Sequence, residues 1–131
     1  MIGLDTNILV RYLAQDEPRQ AKLATCLFEQ TLTEDAPGFI GLVVLIETSW
    51  VLRRLYGATR DEILETVRDL LGTRTLVIAQ RDVVTSALSL CETRAAEFAD
   101  AIITAAATHA GCTEILTFDR GAVRAGMRLA A

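Results

Sequence analysis

The fold is decided where the chain begins, at residues 1–7, which read Met1-Ile2-Gly3-Leu4-Asp5-Thr6-Asn7. The first four residues form a short apolar run, which is typical of a β-strand. The next three are Asp, Thr and Asn, which are residues that cap helix N-termini. Apolar residues then recur at helical spacing as far as Leu13. The stretch predicts a strand that passes directly into a helix, with polar side chains at the junction.

The same alternation continues along the rest of the chain. Further strands are predicted at residues 39–40, 75–79, 114–118 and 127–129, and helices fill the segments between them. Thr59 and Glu62 form a capping box that begins one of these helices. Another is predicted to start near Pro18, because Pro is favoured in the first turn of a helix. Short apolar strands separated by helices predict an α/β fold. We expect residues 1–131 to form a single domain, a parallel β-sheet of four to five short strands flanked by helices.

Length and composition exclude several classes of protein. The chain has 131 residues, of which 51% are hydrophobic and 23% charged, so it is globular. Its longest apolar run, at residues 39–46, is too short to cross a membrane, which takes about 20 residues. Asp5 interrupts the first apolar run before a secretory signal can form. The three cysteines are widely spaced and odd in number, which predicts reduced, buried thiols in a cytoplasmic protein.

The charged residues narrow the chemistry further. The net charge is −4, and the chain has one Lys, Lys22, and one His, His109. A Ser-His-Asp or Cys-His enzyme would have to use that His, and a Schiff-base or P-loop enzyme that Lys, and neither lies in a suitable context. An acidic chain is also a poor non-specific binder of nucleic acid, because phosphate affinity comes mainly from Lys and Arg. If this chain handles nucleic acid, something else must attract the phosphate.

Four acidic residues are candidates for a functional site. Ligands of parallel sheets bind beyond the carboxyl ends of the strands, where Asp5 follows the first strand and Asp119 the fourth. Asp100 begins a helix, and Glu47 interrupts a strongly apolar helical stretch. Each also has an ordinary explanation: Asp5 as an N-cap, Asp100 as a first-turn charge and Asp119 as a turn residue. Glu47 would then reach solvent past a partly exposed Trp50.

Taken together, the four acids are predicted to face one crevice. Clustered carboxylates repel one another and their pKa values rise unless a cation lies between them. A hard divalent cation such as Mg²⁺ or Mn²⁺ takes oxygen ligands, and no His or Cys is available there to favour zinc. Such an ion can activate a water and hold a phosphodiester. It would also supply the positive charge that the chain lacks.

Four stretches give the chain a resemblance to a known family. They are residues 2–7 (IGLDTN), Glu47 with residues 50–52 (WVL), residues 98–103 (FADAII) and residues 116–120 (LTFDR). In this order and at these spacings they resemble a PIN domain, and more narrowly the VapC-type toxins of bacterial toxin–antitoxin pairs. The resemblance extends over essentially the whole chain, although residues 57–96 match only in helical character.

The resemblance implies a Mg²⁺- or Mn²⁺-dependent endoribonuclease that cuts structured RNA such as transfer or ribosomal RNA. It implies that Asp5, Glu47, Asp100 and Asp119 are catalytic, that the metal is held by Asp5, Asp100 and Asp119, and that Thr6, Asn7 and Thr117 shape the site. It also implies a homodimer and a cognate antitoxin that covers the groove and sends an Arg into the acidic site.

Other polar and aromatic residues carry weaker predictions. Arg120, beside Asp119, is the best candidate for a contact with RNA, whereas solvated helix faces account for most of the other arginines near the site (Arg11, Arg53, Arg54 and Arg124). Glu97 is either a fifth acid at the metal or a first-turn charge. His109 is expected to be structural, and Tyr12 and Trp50 are expected to pack in the core or at an interface rather than to stack on bases.

Three other functions fit parts of the pattern. A phosphoacceptor signalling domain needs a Lys after a late strand, and Lys22 lies on an early helix. A haloacid-dehalogenase-like phosphatase needs an Asp two residues after its nucleophile, where this chain has Asn7. A non-catalytic PIN-type scaffold or RNA-binding module is the remaining alternative. The loss of one acid would favour it, but all four acids are present.

Overall fold

The computed structural model describes residues 1–131. The chain divides into two compact units, Met1–Ala79 and Gln80–Ala131, and each is described here by itself. No helix is long and apolar enough to span a bilayer.

The first unit contains a sheet of three parallel strands, in the order β1-β2-β3. Its elements in chain order are β1 (Ile2–Gly3), α1 (Thr6–Ala14), α2 (Pro18–Cys26), a π-helical turn (Leu27–Thr31), β2 (Gly38–Ile40), α3 (Leu42–Leu55), α4 (Arg60–Leu71) and β3 (Leu76–Ile78). The central strand is the most enclosed part, since Ile40 is fully buried and Gly38 is buried beside it. A Cβ atom at Gly38 would lie 2.8 Å from Leu4 Cδ1 and 2.9 Å from Leu32 Cδ1, so a larger residue there would require these two side chains to shift.

Local capping explains where several of these helices begin. Thr59 and Glu62 form the predicted capping box at the start of α4, with Thr59 Oγ1 accepting from the Glu62 amide at 3.1 Å. At α2, Pro18 occupies the first turn and the Glu17 side chain accepts from the amides of Arg19 and Gln20. These caps satisfy amides that have no partner within a helix. Both helices start where the sequence predicts.

Two aromatic side chains, Tyr12 and Trp50, are predicted to pack, and the structure buries them to different extents. Tyr12 of α1 stacks on Phe28, with ring centroids 4.1 Å apart, so its packing role is confirmed. Trp50 of α3 is 54% exposed, and the Arg54 guanidinium lies over its ring at 4.4 Å. Trp50 therefore does not pack in the core, because the face of α3 that carries it points to solvent, and its packing at an interface stays a prediction.

The second unit is built on two long helices. Its elements are α5 (Arg81–Arg94), α6 (Phe98–His109), β4 (Leu116–Thr117), a 3₁₀ helix (Arg120–Ala125) and β5 (Arg128–Leu129). Small and apolar side chains fill the core of this unit, including Val84, Ala87, Cys91, Ala101 and Ile102. Small residues let two helices approach closely. Packing between helices therefore forms most of the core of this unit.

All five strands pair in parallel, as predicted, but they form two sheets and not one. The short strands β4 and β5 pair with each other: Arg128 N donates to Ile115 O and Ala130 N to Thr117 O, both at 2.8 Å. The α/β class with flanking helices is confirmed. Of the three free cysteines, Cys91 is buried as expected, whereas Cys26 and Cys112 are exposed.

Candidate active site

Asp5 lies at the junction of β1 and α1 that the sequence predicts. Leu4 N donates to Phe39 O at 2.9 Å, which holds the end of the strand against β2. Asp5 then adopts an extended backbone and caps α1, and its Oδ1 accepts from Thr6 N at 2.7 Å. The N-cap role of Asp5 is therefore confirmed. Its Oδ2 has no partner within the protein, so this oxygen remains available to a ligand.

Glu47 lies on α3 and is exposed. It does not lie in the apolar core, which resolves the conflict between its charge and its apolar neighbours in the sequence. Glu47 and Asp5 line the same cleft, which has a volume of about 370 Å³. Thr6 and Asn7, both predicted to shape the site, line it too, together with Val10, Arg11, Val51, Leu55 and Tyr56. The first unit thus brings four of the predicted site residues together.

The hydroxyl of Thr6 is unusual within this cleft. Thr6 Oγ1 is buried and has no hydrogen-bond partner in the protein. Leaving such a group unsatisfied costs about 1–3 kcal/mol. A water or a ligand would satisfy that bond, as outer-shell groups at metal sites do.

Asp100 lies in the first turn of α6, in the second unit, and is half-buried. Burial raises the pKa of Asp100 above its ordinary value, and the nearby charges of Asp119 and Glu97 raise the pKa further. Desolvation and like charges both disfavour the ionised carboxylate. The environment of Asp100 therefore disfavours its ionised form.

Asp119 is held by a short hydrogen-bonded turn. Its amide donates to Thr117 Oγ1 at 3.0 Å, and its Oδ1 accepts from Gly121 N at 2.9 Å. Thr117 thus fixes the backbone of Asp119. The turn role of Asp119 is confirmed, and its Oδ2 stays without a partner in the protein. Arg120 follows as an exposed side chain at the start of the 3₁₀ helix.

Glu97 occupies the N-cap position of α6 without a side-chain capping bond. Its charge nevertheless contributes to the raised pKa of Asp100. His109 lies in the last turn of α6, where Nδ1 is 2.8 Å from Ala105 O. That backbone contact agrees with a structural His.

The donor atoms suit a hard divalent cation, although the acids occur in pairs. No group of three or more His, Cys, Asp or Glu side chains is placed to hold one metal ion. Mg²⁺ binds through one or two carboxylates and keeps several waters, so a pair of carboxylates meets its needs. A cation would also relieve the repulsion at Asp100. The convergence of all four acids on one ion stays a prediction.

Sequence reasoning missed Tyr56 in the cleft and its hydrogen-bond partner Asp16. Tyr56 donates through its hydroxyl to Asp16 Oδ2 at 2.5 Å, and Asp16 also pairs with Arg11. Asp16 and Tyr56 are forty positions apart, so no local spacing in the sequence signals that they meet.

The chain matches the PIN domain family over residues 2–126, a stretch that includes both units. It belongs to that family. PIN domains are generally nucleases, so membership supports a hydrolytic reaction on nucleic acid. None of the curated proteins compared with the chain matches it.

Proposed function

We propose that this chain is a Mg²⁺- or Mn²⁺-dependent endoribonuclease and the toxin of a toxin–antitoxin pair. Its substrate would be structured RNA, with transfer or ribosomal RNA the leading candidates. The observation that carries the proposal is a pair of carboxylates in each unit of a PIN domain, Asp5 with Glu47 and Asp100 with Asp119. Carboxylates of this kind serve phosphodiester hydrolysis when a divalent ion accompanies them.

In the proposed mechanism, as the family resemblance implies, Asp5, Asp100 and Asp119 would hold the metal. When bound, the ion supplies an activated water and positive charge beside the phosphodiester. Glu47, exposed in the cleft, accepts a proton from the attacking water at its carboxylate. Thr6 Oγ1 offers a hydrogen bond to a water in the cleft, and Asn7 lines the same space. Thr117 keeps the Asp119 carboxylate in position through the backbone bond described above.

The proposed partners follow from the same charges. A cleft lined by two carboxylates accepts an incoming guanidinium with charge-assisted hydrogen bonds, which supports inhibition by an antitoxin that inserts an Arg. Occupation of the acids by that Arg would exclude the metal. We also propose a homodimer, on the family resemblance, and a contact between RNA and the exposed Arg120.

The test is cleavage of purified transfer and ribosomal RNA with Mg²⁺ or Mn²⁺, against EDTA. Asp100→Asn is expected to abolish cutting. Asp82→Asn is the matched control, because Asp82 is also a first-turn aspartate, of α5. Its activity should equal that of the wild type. Full activity of Asp100→Asn would contradict the site assignment.

A non-catalytic PIN-type scaffold or RNA-binding module is the second candidate. The absence of a cluster of three or more potential metal ligands favours it. Binding of RNA without cutting, and without Mn²⁺ binding by calorimetry, would support the scaffold over the nuclease.

Toxicity is tested separately by inducing the chain in cells without any partner. The wild type is expected to arrest growth, and Asp100→Asn is not. Equal arrest by both would contradict RNA cleavage as the cause.

A further inference from the structure

Arg11 lies on the cleft that Asp5 and Glu47 line. It belongs to α1, and its side chain is 30% exposed. It forms no ion pair with either of those carboxylates. The cleft therefore presents two acids and a cation that do not neutralise one another by direct contact.

Three side chains hold the guanidinium of Arg11. Its Nε donates to Gln20 Oε1 at 2.7 Å, and its Nη1 lies 3.5 Å from Asp16 Oδ1 and 3.4 Å from the Tyr56 hydroxyl. Tyr56 in turn donates to Asp16, as described above. The Nη2 group has no partner within the protein. Arg11 is thus fixed at one edge of its guanidinium and keeps free donors at Nη2.

This arrangement leaves the guanidinium of Arg11 able to bind an anion. A planar guanidinium that is already held loses little further freedom when it binds, and its donors match phosphate oxygens. A phosphodiester carries one negative charge, and nothing else that lines the cleft is cationic.

We infer that Arg11 binds a backbone phosphate of the RNA in this cleft, and that Asp16 and Tyr56 are positioning residues for its guanidinium. The inference rests on the proposed function and adds to it the path of the substrate. The RNA backbone would run past α1 and the end of α3, on the cleft that holds Glu47.

The test is binding of a short, labelled single-stranded RNA, measured by fluorescence anisotropy over a series of salt concentrations. The Asp100→Asn background keeps the RNA intact. Arg11→Gln is expected to weaken binding about tenfold at low salt. It should also reduce the slope of log affinity against log salt by about 0.7, the value for one phosphate contact on a single strand.

Arg19→Gln is the matched control, because it removes the same charge from an exposed side chain of α2 that does not line the cleft. It should change the slope far less. Arg11→Lys keeps the charge, so it should retain most of the slope and serves if Arg11→Gln folds poorly. Equal effects of Arg11→Gln and Arg19→Gln would overturn the inference.

Substitutions of Asp16 and Tyr56 test the positioning role, because the direction of the change in RNA affinity distinguishes it from a simple charge effect. Asp16→Asn removes a negative charge, which by itself favours RNA binding, and Tyr56→Phe changes no charge. Because each substitution removes a bond that holds Arg11 in place, both are expected to weaken RNA binding about threefold. In the Arg11→Gln background the weakening should disappear, since it acts through Arg11. Tyr56→Phe should then have no effect, and Asp16→Asn should leave only the slight tightening that its lost charge causes. Tighter binding by Asp16→Asn would overturn the positioning role.

The outcomes separate this inference from the proposed function. If the wild type cuts RNA and Arg11→Gln binds as the Arg19→Gln control does, the nuclease stands and the phosphate contact is wrong. If the wild type neither binds nor cuts RNA, both are wrong.

Discussion

The two units treat their acidic side chains in opposite ways. In the first unit Asp5 and Glu47 border an open cleft that also contains the guanidinium of Arg11. In the second unit Asp100 is half-buried, and its pKa is raised first by burial and then by the charges of Asp119 and Glu97. The second unit therefore accumulates a repulsion that a metal ion would relieve. The first unit offers space and a cation, which are what a phosphate requires.

The largest effect on RNA cleavage is expected from Asp119→Asn, which directly tests the repulsion between the carboxylates of Asp100 and Asp119. RNA cleavage should fall by at least about a hundredfold, since even outer-shell changes at metal sites cost 10–100-fold. The pKa of Asp100 should fall as well, although not to its ordinary value, because burial is the larger cause. Single-turnover cleavage and an NMR titration of the Asp100 carboxyl measure the two effects.

Asp82→Asn is the control for both measurements and should change neither. An Asp100 pKa that does not respond to Asp119→Asn would break the contrast between the units, because it would mean that these two carboxylates do not interact.

The next effect concerns metal binding and stability. A ligand that binds only the folded state stabilises it by about 2.7 kcal/mol at a hundred times its dissociation constant. Mn²⁺ should therefore raise the Tm of the wild type. The rise should be much smaller in Asp100→Asn, whose metal-free form should be at least as stable as the wild type because the repulsion is gone. Calorimetric scans with Mn²⁺ and with EDTA measure this, and an equal rise in both proteins would contradict a metal role for Asp100.

The smallest effect is a pH dependence of stability without metal. The pKa of Asp100 in the folded chain is raised above its ordinary value of 3.8. At pH values between the ordinary pKa and the raised pKa, the folded chain therefore binds more protons than the unfolded chain. Stability then falls as pH rises through this window. Asp100→Asn should lack this component. Urea unfolding of both proteins at pH values on either side of the window measures it, and identical pH profiles would contradict the raised pKa.

Much of the fold is predictable because its determinants are local. The capping box at Thr59 and Glu62 and the Pro18 start of α2 depend on neighbouring residues, and the structure confirms both. The division of the strands into two sheets is not local. Strands of two residues have few backbone groups, so their partners depend on the tertiary arrangement.

The same distinction between local and tertiary determinants applies to the candidate site. The capping bond of Asp5 and the turn of Asp119 follow from adjacent residues. The setting of Glu47 depends on which face of α3 is buried, so the sequence left a buried and an exposed Glu47 both open. The structure confirms the exposed alternative, with an exposed Trp50 beside it. The bond between Asp16 and Tyr56 joins distant parts of the chain, so only the folded structure places it beside Arg11.

Trp50 gives the protein an optical reporter of its own. It is the single tryptophan of the chain and lies one turn after Glu47 on α3, with about half of its surface in solvent and Arg54 over its ring. Residues three apart on a helix are neighbours. A macromolecule that covers this stretch of α3 would change the solvent around the indole and therefore its emission. Occupancy of the Glu47 side of the cleft can thus be followed by intrinsic fluorescence, without a label on the protein.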